Sequence, residues 1–283
     1  LRVRNDFLAI VTLMCLLFLI PYGPRLRQVA GCLTFVIACG AGVYLVGLGT
    51  KIQPHTLTVY TTASLPFLAW LLARFISGHL LSLGGVFLIF ATTLFMMSRI
   101  ATLAQSVMFF LAFVLLFLGF REQPQRVRMA FWLVGGFSVV ACGVVYLNYD
   151  FFSMRMFGGD SGLEIRGLSI HTAGRASAWG AIIDSWKLAP FFGHGIPVPV
   201  ELIDVRGWDH PHNDFLRVLH QVGLVGFLGF ALFVFALCRV VVKAVRRATS
   251  TQSRIQAHAA ALAMAGWLVM MLTDNVLMYP WIA

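Results

Sequence analysis

The chain is a succession of apolar runs, each about as long as a bilayer is thick, and this pattern limits its fold more than any motif does. Crossing roughly 30 Å of hydrocarbon as a helix takes about 20 mainly apolar residues. Eight segments meet that need, at approximately 7 to 22, 28 to 49, 57 to 76, 80 to 97, 100 to 120, 129 to 147, 215 to 238 and 257 to 277. The expected fold is all-α, a polytopic transmembrane helix bundle. Composition agrees, because 59% hydrophobic against 11% charged residues cannot give a soluble globule a polar exterior. Soluble enzymes, disordered chains and disulfide scaffolds are excluded.

A formal net charge of +10 invites a nucleic-acid reading, which the distribution of that charge opposes. From Asp150 to Asp214 there are eight acids and five bases, whereas the remainder carries sixteen bases and three acids, most of the bases in short breaks between runs. Taking alternate breaks, one side collects Arg25, Arg27, Arg74, Arg121, Arg126, Arg128, Arg239, Lys243, Arg246, Arg247 and Arg254. The opposite short breaks hold only Lys51 and Arg99, besides Arg2 and Arg4 near the start of the chain. By the positive-inside rule the first side is cytoplasmic, and no nucleic-acid partner is expected. The cysteines lie within or at the ends of apolar runs without a CxxC pair, which supports neither a zinc site nor a disulfide framework. The chain begins at Leu1 and stops soon after its last run, so it reads as a fragment of a longer protein, and no cleavable signal peptide is evident.

This sidedness places the long segment 148 to 214 outside, between spans 1 to 6 (residues 1 to 147) and spans 7 and 8 (residues 215 to 283). A loop of that size is generally functional or disordered. Its tryptophans, Phe191, Phe192, and four histidines argue against disorder. Residues 173 to 188 read as a helix, with Trp179, Ile182, Ile183 and Trp186 at helical spacing and Pro190 ending it. At about 100° per residue, Arg175 falls within that apolar stripe and Asp184 opposite it. An arginine aimed with two tryptophans toward protein or membrane needs a partner, and its fork suits phosphate oxygens or a carboxylate. A buried Arg–Asp pair would give the same pattern.

Arg99 follows Ser98 at the outer junction of two spans, where an ionisable group faces a cavity or a partner, or snorkels to headgroups. Arg74, at a cytoplasmic end, needs no special account. The densest polar cluster is Asp209-His210-Pro211-His212-Asn213-Asp214, followed by Arg217, His220, Gly223 and Gly226. Three readings compete for it. A metal site lacks a third histidine at ligand spacing. Asn213 or Asp214 can cap the helix entering the membrane. One histidine can also serve as a general base beside a helix N-terminus that favours anions. Gly193-His194-Gly195-Ile196-Pro197 is a stiff turn able to shape a pocket wall. Asp274 stands near the outer end of the last span, available to pair with an arginine, while Lys51 and His55 look like ordinary interface residues.

Taken together, these residues resemble the O-antigen ligase and O-antigen polymerase family of bacterial inner-membrane glycosyltransferases. His212-Asn213, nine residues, then Gly223-x-x-Gly226 is similar to the ligase motif. Gly174-Arg175 through Trp179, Pro190 and Gly193-His194-Gly195 resembles the family's outer-loop arginine segment, and Ser98-Arg99 a recurrent outer-face pair. Phe227 departs from the pattern, since ligases commonly have Thr there. The resemblance covers roughly residues 80 to 280. It implies transfer of a glycan from an undecaprenyl-pyrophosphate carrier at the periplasmic face, with lipid A-core as acceptor in a ligase or a growing glycan in a polymerase. It further implies membrane lipids as surroundings, no cofactor, and neither ATP nor a metal. On this reading His212 is the base, Arg175 and Arg99 hold the pyrophosphate, and His210, Asn213, Arg217, His220, His194 and Trp179 line the substrate site.

Two readings from other classes stand beside it. A transporter or lipid flippase would use the arginines and histidines as a substrate path, but the charges gather in one outer loop and no inverted repeat is visible. A scaffold whose loop only binds partner enzymes would tolerate substitution of His212 or Arg175.

Overall fold

Six of the eight apolar runs fall on helices in the computed structural model, which describes residues 54–95, 99–119, 123–147, 149–150, 153, 163–165, 168–170, 175–195 and 212–272. The elements are α1 (Pro54–Ile76), α2 (Ser82–Phe95), α3 (Arg99–Gly119), α4 (Pro124–Leu147), the strands β1 (Leu163–Ile165) and β2 (Leu168–Ile170), α5 (Arg175–Trp186), α6 (Asp214–Arg247) and α7 (Thr251–Met271). Among the described residues the chain is thus helical, with one short antiparallel hairpin that pairs Leu163 with Ile170 and Ile165 with Leu168. The expected spans at 7 to 22 and 28 to 49 lie outside the described residues, as does the end of the one at 257 to 277. Among the described residues, three stretches are long and apolar enough to cross a membrane: Ile100–Leu118, Val127–Leu147 and Asp214–Arg247.

Local chemistry sets the helix ends. Pro54 and Pro124 open α1 and α4, where a missing N–H has no helical partner to lose. Past the end of α1, Gly78 at φ +102° lets its own N–H reach the Phe75 carbonyl (2.8 Å) and the His79 N–H reach that of Arg74 (3.0 Å). This pair of bonds is a Schellman stop. The guanidinium of Arg74 lies 4.8 Å from the centre of the Trp70 ring, so this arginine is absorbed by local packing. Ser250 caps α7 by accepting the Ser253 N–H at 3.1 Å, directly after the basic end of α6.

Among the described residues the chain forms two compact units, one gathering residues 145–237 and 270–272, the other residues up to 144 together with 238–269. In the latter, α1, α2 and α3 share a core of Leu68, Leu72, Phe75, Val86, Phe90 and Met108, all fully buried. Ala101, Ala104 and Ala112 form a buried small-residue stripe on α3, which permits the close backbone approach that packs helices in lipid. Gln105 Nε2 donates to Thr93 Oγ1 at 2.7 Å, tying α3 to α2, and a Phe90–Phe109–Phe137 cluster adds α4 at centroid distances of 4.4 to 5.2 Å. Large apolar side chains such as Trp132 on α4 and Leu232 on α6, each 67% exposed, suit a hydrocarbon solvent and not water.

Candidate functional site

The unit around residues 145–237 carries most of the residues singled out in the sequence, and its construction starts at the mouth of α6. His212 takes φ +47°, the one non-glycine residue in the left-handed region among those described. Such a conformation is costly for a residue with a Cβ and persists where the surroundings impose it. It turns the chain so that Asn213 can cap the helix, its Oδ1 accepting the Leu216 N–H at 3.0 Å. Asp214 then opens α6, fully buried, and pairs with Arg217 at 3.2 Å one turn on. Arg217, 8% exposed at its side chain, is therefore held by an acid of its own helix. Asn213 performs the capping that its position predicts, with Asp214 in the first turn where the helix dipole favours an anion.

Nearly two turns further, α6 is interrupted. Gly223 sits at φ +66°, ψ −170°, a conformation essentially confined to glycine. The break exposes backbone groups that the turn after α5 satisfies. Leu224 and Val225 donate to the carbonyls of Pro190 (2.8 Å) and Phe191 (3.1 Å), while His194 and Gly195 donate to those of His220 (3.0 Å) and Gln221 (2.9 Å). The approach is close. A Cβ on Gly193 would stand 2.5 Å from backbone atoms of Gln221 and Gly223, and one on Gly223 would overlap the Phe191 carbonyl. Gly193 and Gly195 also have positive φ, +72° and +80°. The Gly-His-Gly turn and the first glycine of Gly-x-x-Gly are thus one interlocked structure.

The docking gathers three polar side chains. Ser185, 5% exposed near the end of α5, shares a 2.9 Å hydrogen bond with His220 Nε2. His194 Nε2 donates to the Ser185 carbonyl at 2.7 Å, and its ring stacks on that of His220 with centroids 4.5 Å apart. His220 is 1% exposed, and its Nδ1 has no hydrogen-bond partner among the described residues. No sequence signal pointed to Ser185, because a lone serine on an amphipathic helix is uninformative until its neighbour across the fold is known.

Arg175 is the first residue of α5, about 15 Å along the axis from Ser185. Counting about 100° per residue, Arg175, Ala178, Ile182 and Ser185 share one face, and the last three are buried. The buried face is rotated from the expected tryptophan stripe: Trp179 and Trp186 are half-buried and Ile183 is exposed. The Nε of Arg175 is nonetheless buried and makes no hydrogen bond among the described residues. A guanidinium at a helix N-terminus, with buried hydrogen-bonding capacity to spare, is suited to bind an anion. Asp184, opposite, pairs with Lys187 at 2.7 Å on the exposed side. Arg99 is the first residue of α3, in the other unit, and its side chain lies outside the described residues, as do His210 and Asp274 in full.

A family profile described as O-antigen ligase matches residues 84–231, just over half of the 283 residues. The matched range runs from α2 into α6 and includes Arg99, Arg175, the docked turn and the segment from His212 to Gly226. No curated protein matches the chain.

Proposed function

Because the chain belongs to the O-antigen ligase family, we propose that it transfers a glycan from undecaprenyl pyrophosphate to lipid A-core at the periplasmic face of the bacterial inner membrane. The chain contributes about eight spans to this enzyme, with the loop 148 to 214 over the outer surface. The observation that carries the reading is Arg175, the first residue of α5, whose buried Nε has no hydrogen-bond partner among the described residues.

The chemistry follows from the leaving group. His212 takes the proton of an acceptor hydroxyl, the freed oxygen pair attacks the anomeric carbon, and the bond from that carbon to the pyrophosphate oxygen breaks. The electron pair leaves on the pyrophosphate, whose growing charge Arg175 and Arg99 stabilise. This leaves no step that requires a cofactor or metal. His194, His210, Asn213, Arg217, His220 and Trp179 shape the surrounding substrate site, Asn213 by fixing the start of α6 beside the base and Arg217 in its pair with Asp214. A polymerase of the same family is the second reading, favoured by Phe227 in place of the ligases' common Thr.

The test supplies the purified full-length protein with undecaprenyl-pyrophosphate glycan, with and without lipid A-core, and sizes the products beside His212→Ala. One acceptor-dependent transfer, lost in His212→Ala, is expected. A ladder from donor alone would identify a polymerase. Full activity in His212→Ala would refute the base assignment, and absence of transfer from folded protein would refute the reading.

A further inference from the structure

The turn after α5 ends in large apolar side chains that nothing in the described protein covers. Leu188 is 81% exposed, Phe191 61% and Phe192 80%. Three such groups within five residues of an outer loop have no reason to face water. In the same turn, the carbonyls of Pro190 and Phe191 accept from Leu224 and Val225 on α6, whose own side chains are exposed in a stripe continued by Leu228 and Leu232.

The depth of that attachment follows from helix geometry. The first charged residue beyond the apolar part of α6 is Arg239, fifteen residues past Leu224. At about 1.5 Å per residue this is roughly 22 Å, against a hydrocarbon thickness of about 30 Å. With Arg239 at the inner boundary, Leu224 lies roughly 8 Å inside the outer one. With Lys243 there instead, Leu224 still lies about 28 Å away, at the outer edge of the hydrocarbon.

We infer that the turn from Leu188 to Phe192 is a re-entrant wedge inserted among the acyl chains of the outer leaflet. Non-helical backbone is tolerated at such depth only where its polar groups are satisfied by protein. Within the turn, the carbonyls of Ala189, Pro190 and Phe191 accept from Gly193, Leu224 and Val225, and the Leu188 and Ala189 N–H groups donate to Ser185 and Trp186, so protein satisfies much of this backbone. The Lys187–Asp184 pair and the half-buried Trp186, whose Nε1 donates to the Pro190 carbonyl at 3.1 Å, stand just above the wedge, as charged and amphipathic groups do at a membrane interface. The wedge sets the end of α5, and with it Ser185, His194 and His220, at the membrane surface, the level at which a lipid-linked substrate presents its head. The inference rests on the reading of α6 as a span entered from outside and does not depend on which reaction the site performs.

The experiment is spin labelling in nanodiscs of phosphatidylethanolamine and phosphatidylglycerol, without donor lipid. Cys15, Cys32, Cys39, Cys142 and Cys238 are replaced by Ala, and single cysteines are placed at Leu188, Phe192, Asp184 and Leu228. Oxygen, which partitions into hydrocarbon, should relax the labels at 188 and 192 several-fold more than a water-soluble nickel chelate does, as at 228, with the order reversed at 184. Preference for nickel at 188 and 192 would overturn the wedge. So would inaccessibility to both reagents, which would mean that protein covers the turn. Preference for nickel at 228 as well would instead refute α6 as a span. In the unsubstituted protein, a photoactivatable acyl lipid should label the peptide holding Leu188 to Phe192 as it labels Phe131 and Trp132. Labelling of α4 alone would overturn the inference without any mutant.

Discussion

Replacing Gly223 with alanine probes the interlock between the two glycine motifs. At φ +66°, ψ −170° a residue with a Cβ is strained by on the order of 1 to 3 kcal/mol, and the overlap of that Cβ with the Phe191 carbonyl adds to it. A regular helix through position 223 relieves both, but it releases the turn and its four backbone bonds to the break. The strain therefore comes off the stability of the docked state. At about 1.4 kcal/mol per factor of ten, 1 to 3 kcal/mol predicts at least a roughly 5- to 150-fold loss of amide protection. The amides concerned are those of His194, Gly195, Leu224 and Val225. Hydrogen exchange read by mass spectrometry in nanodiscs measures this local opening directly. Gly229→Ala is the control, because nothing lies within 4 Å of a Cβ at that position. Unchanged exchange at these amides in Gly223→Ala, with Gly229→Ala also silent, would refute the claim that the break holds the turn.

Asp214→Ala removes the acid paired with the buried Arg217 and should destabilise the protein by roughly 3 to 5 kcal/mol, seen as a lower melting temperature. Leu at both positions should recover much of that loss, and a double variant no more stable than Asp214→Ala would contradict the pairing. Asn213→Ala should cost about 1 kcal/mol in the same assay while Asn213→Asp stays near neutral, and equal melting of all three proteins would rule out the cap. Arg175→Lys keeps the charge but loses the planar fork, so transfer should fall well below wild type; wild-type turnover would end its assignment as a pyrophosphate ligand.

Much of the architecture was legible because the bilayer imposes a length and a polarity that any helix crossing it must obey. The runs at 57 to 76, 100 to 120 and 215 to 238 all fall on helices, and the cap at Asn213 lies where a short polar side chain precedes an apolar helix. The helix expected over 173 to 188 is present as α5, Arg175–Trp186 among the described residues. The end of α6 was harder to read, since Arg239, Lys243, Arg246 and Arg247 belong to a helix that continues beyond the apolar run to Arg247. Basic residues continue a helix readily, so the limit of the hydrocarbon and the limit of the helix differ. The rotation of α5 was missed for a related reason. Periodicity ranks faces by hydrophobicity, yet Ser185 is buried and Ile183 exposed because a histidine from α6 supplies the serine with a hydrogen bond.

By itself, the sequence determined a helical membrane chain and the polar and charged residue types that gather just ahead of α6 and in its first turns. Those depend on transfer free energies and local propensity, which act on each segment alone. Only the tertiary structure decided that Gly193 meets Gly223, that Ser185 meets His220 and that Arg217 is held by Asp214. Gly193 and Gly223 are thirty residues apart and Ser185 and His220 thirty-five, and the directional bonds between them form only once both segments are in place. Arg217 and Asp214 are near neighbours, but their burial is set by the elements packed around them.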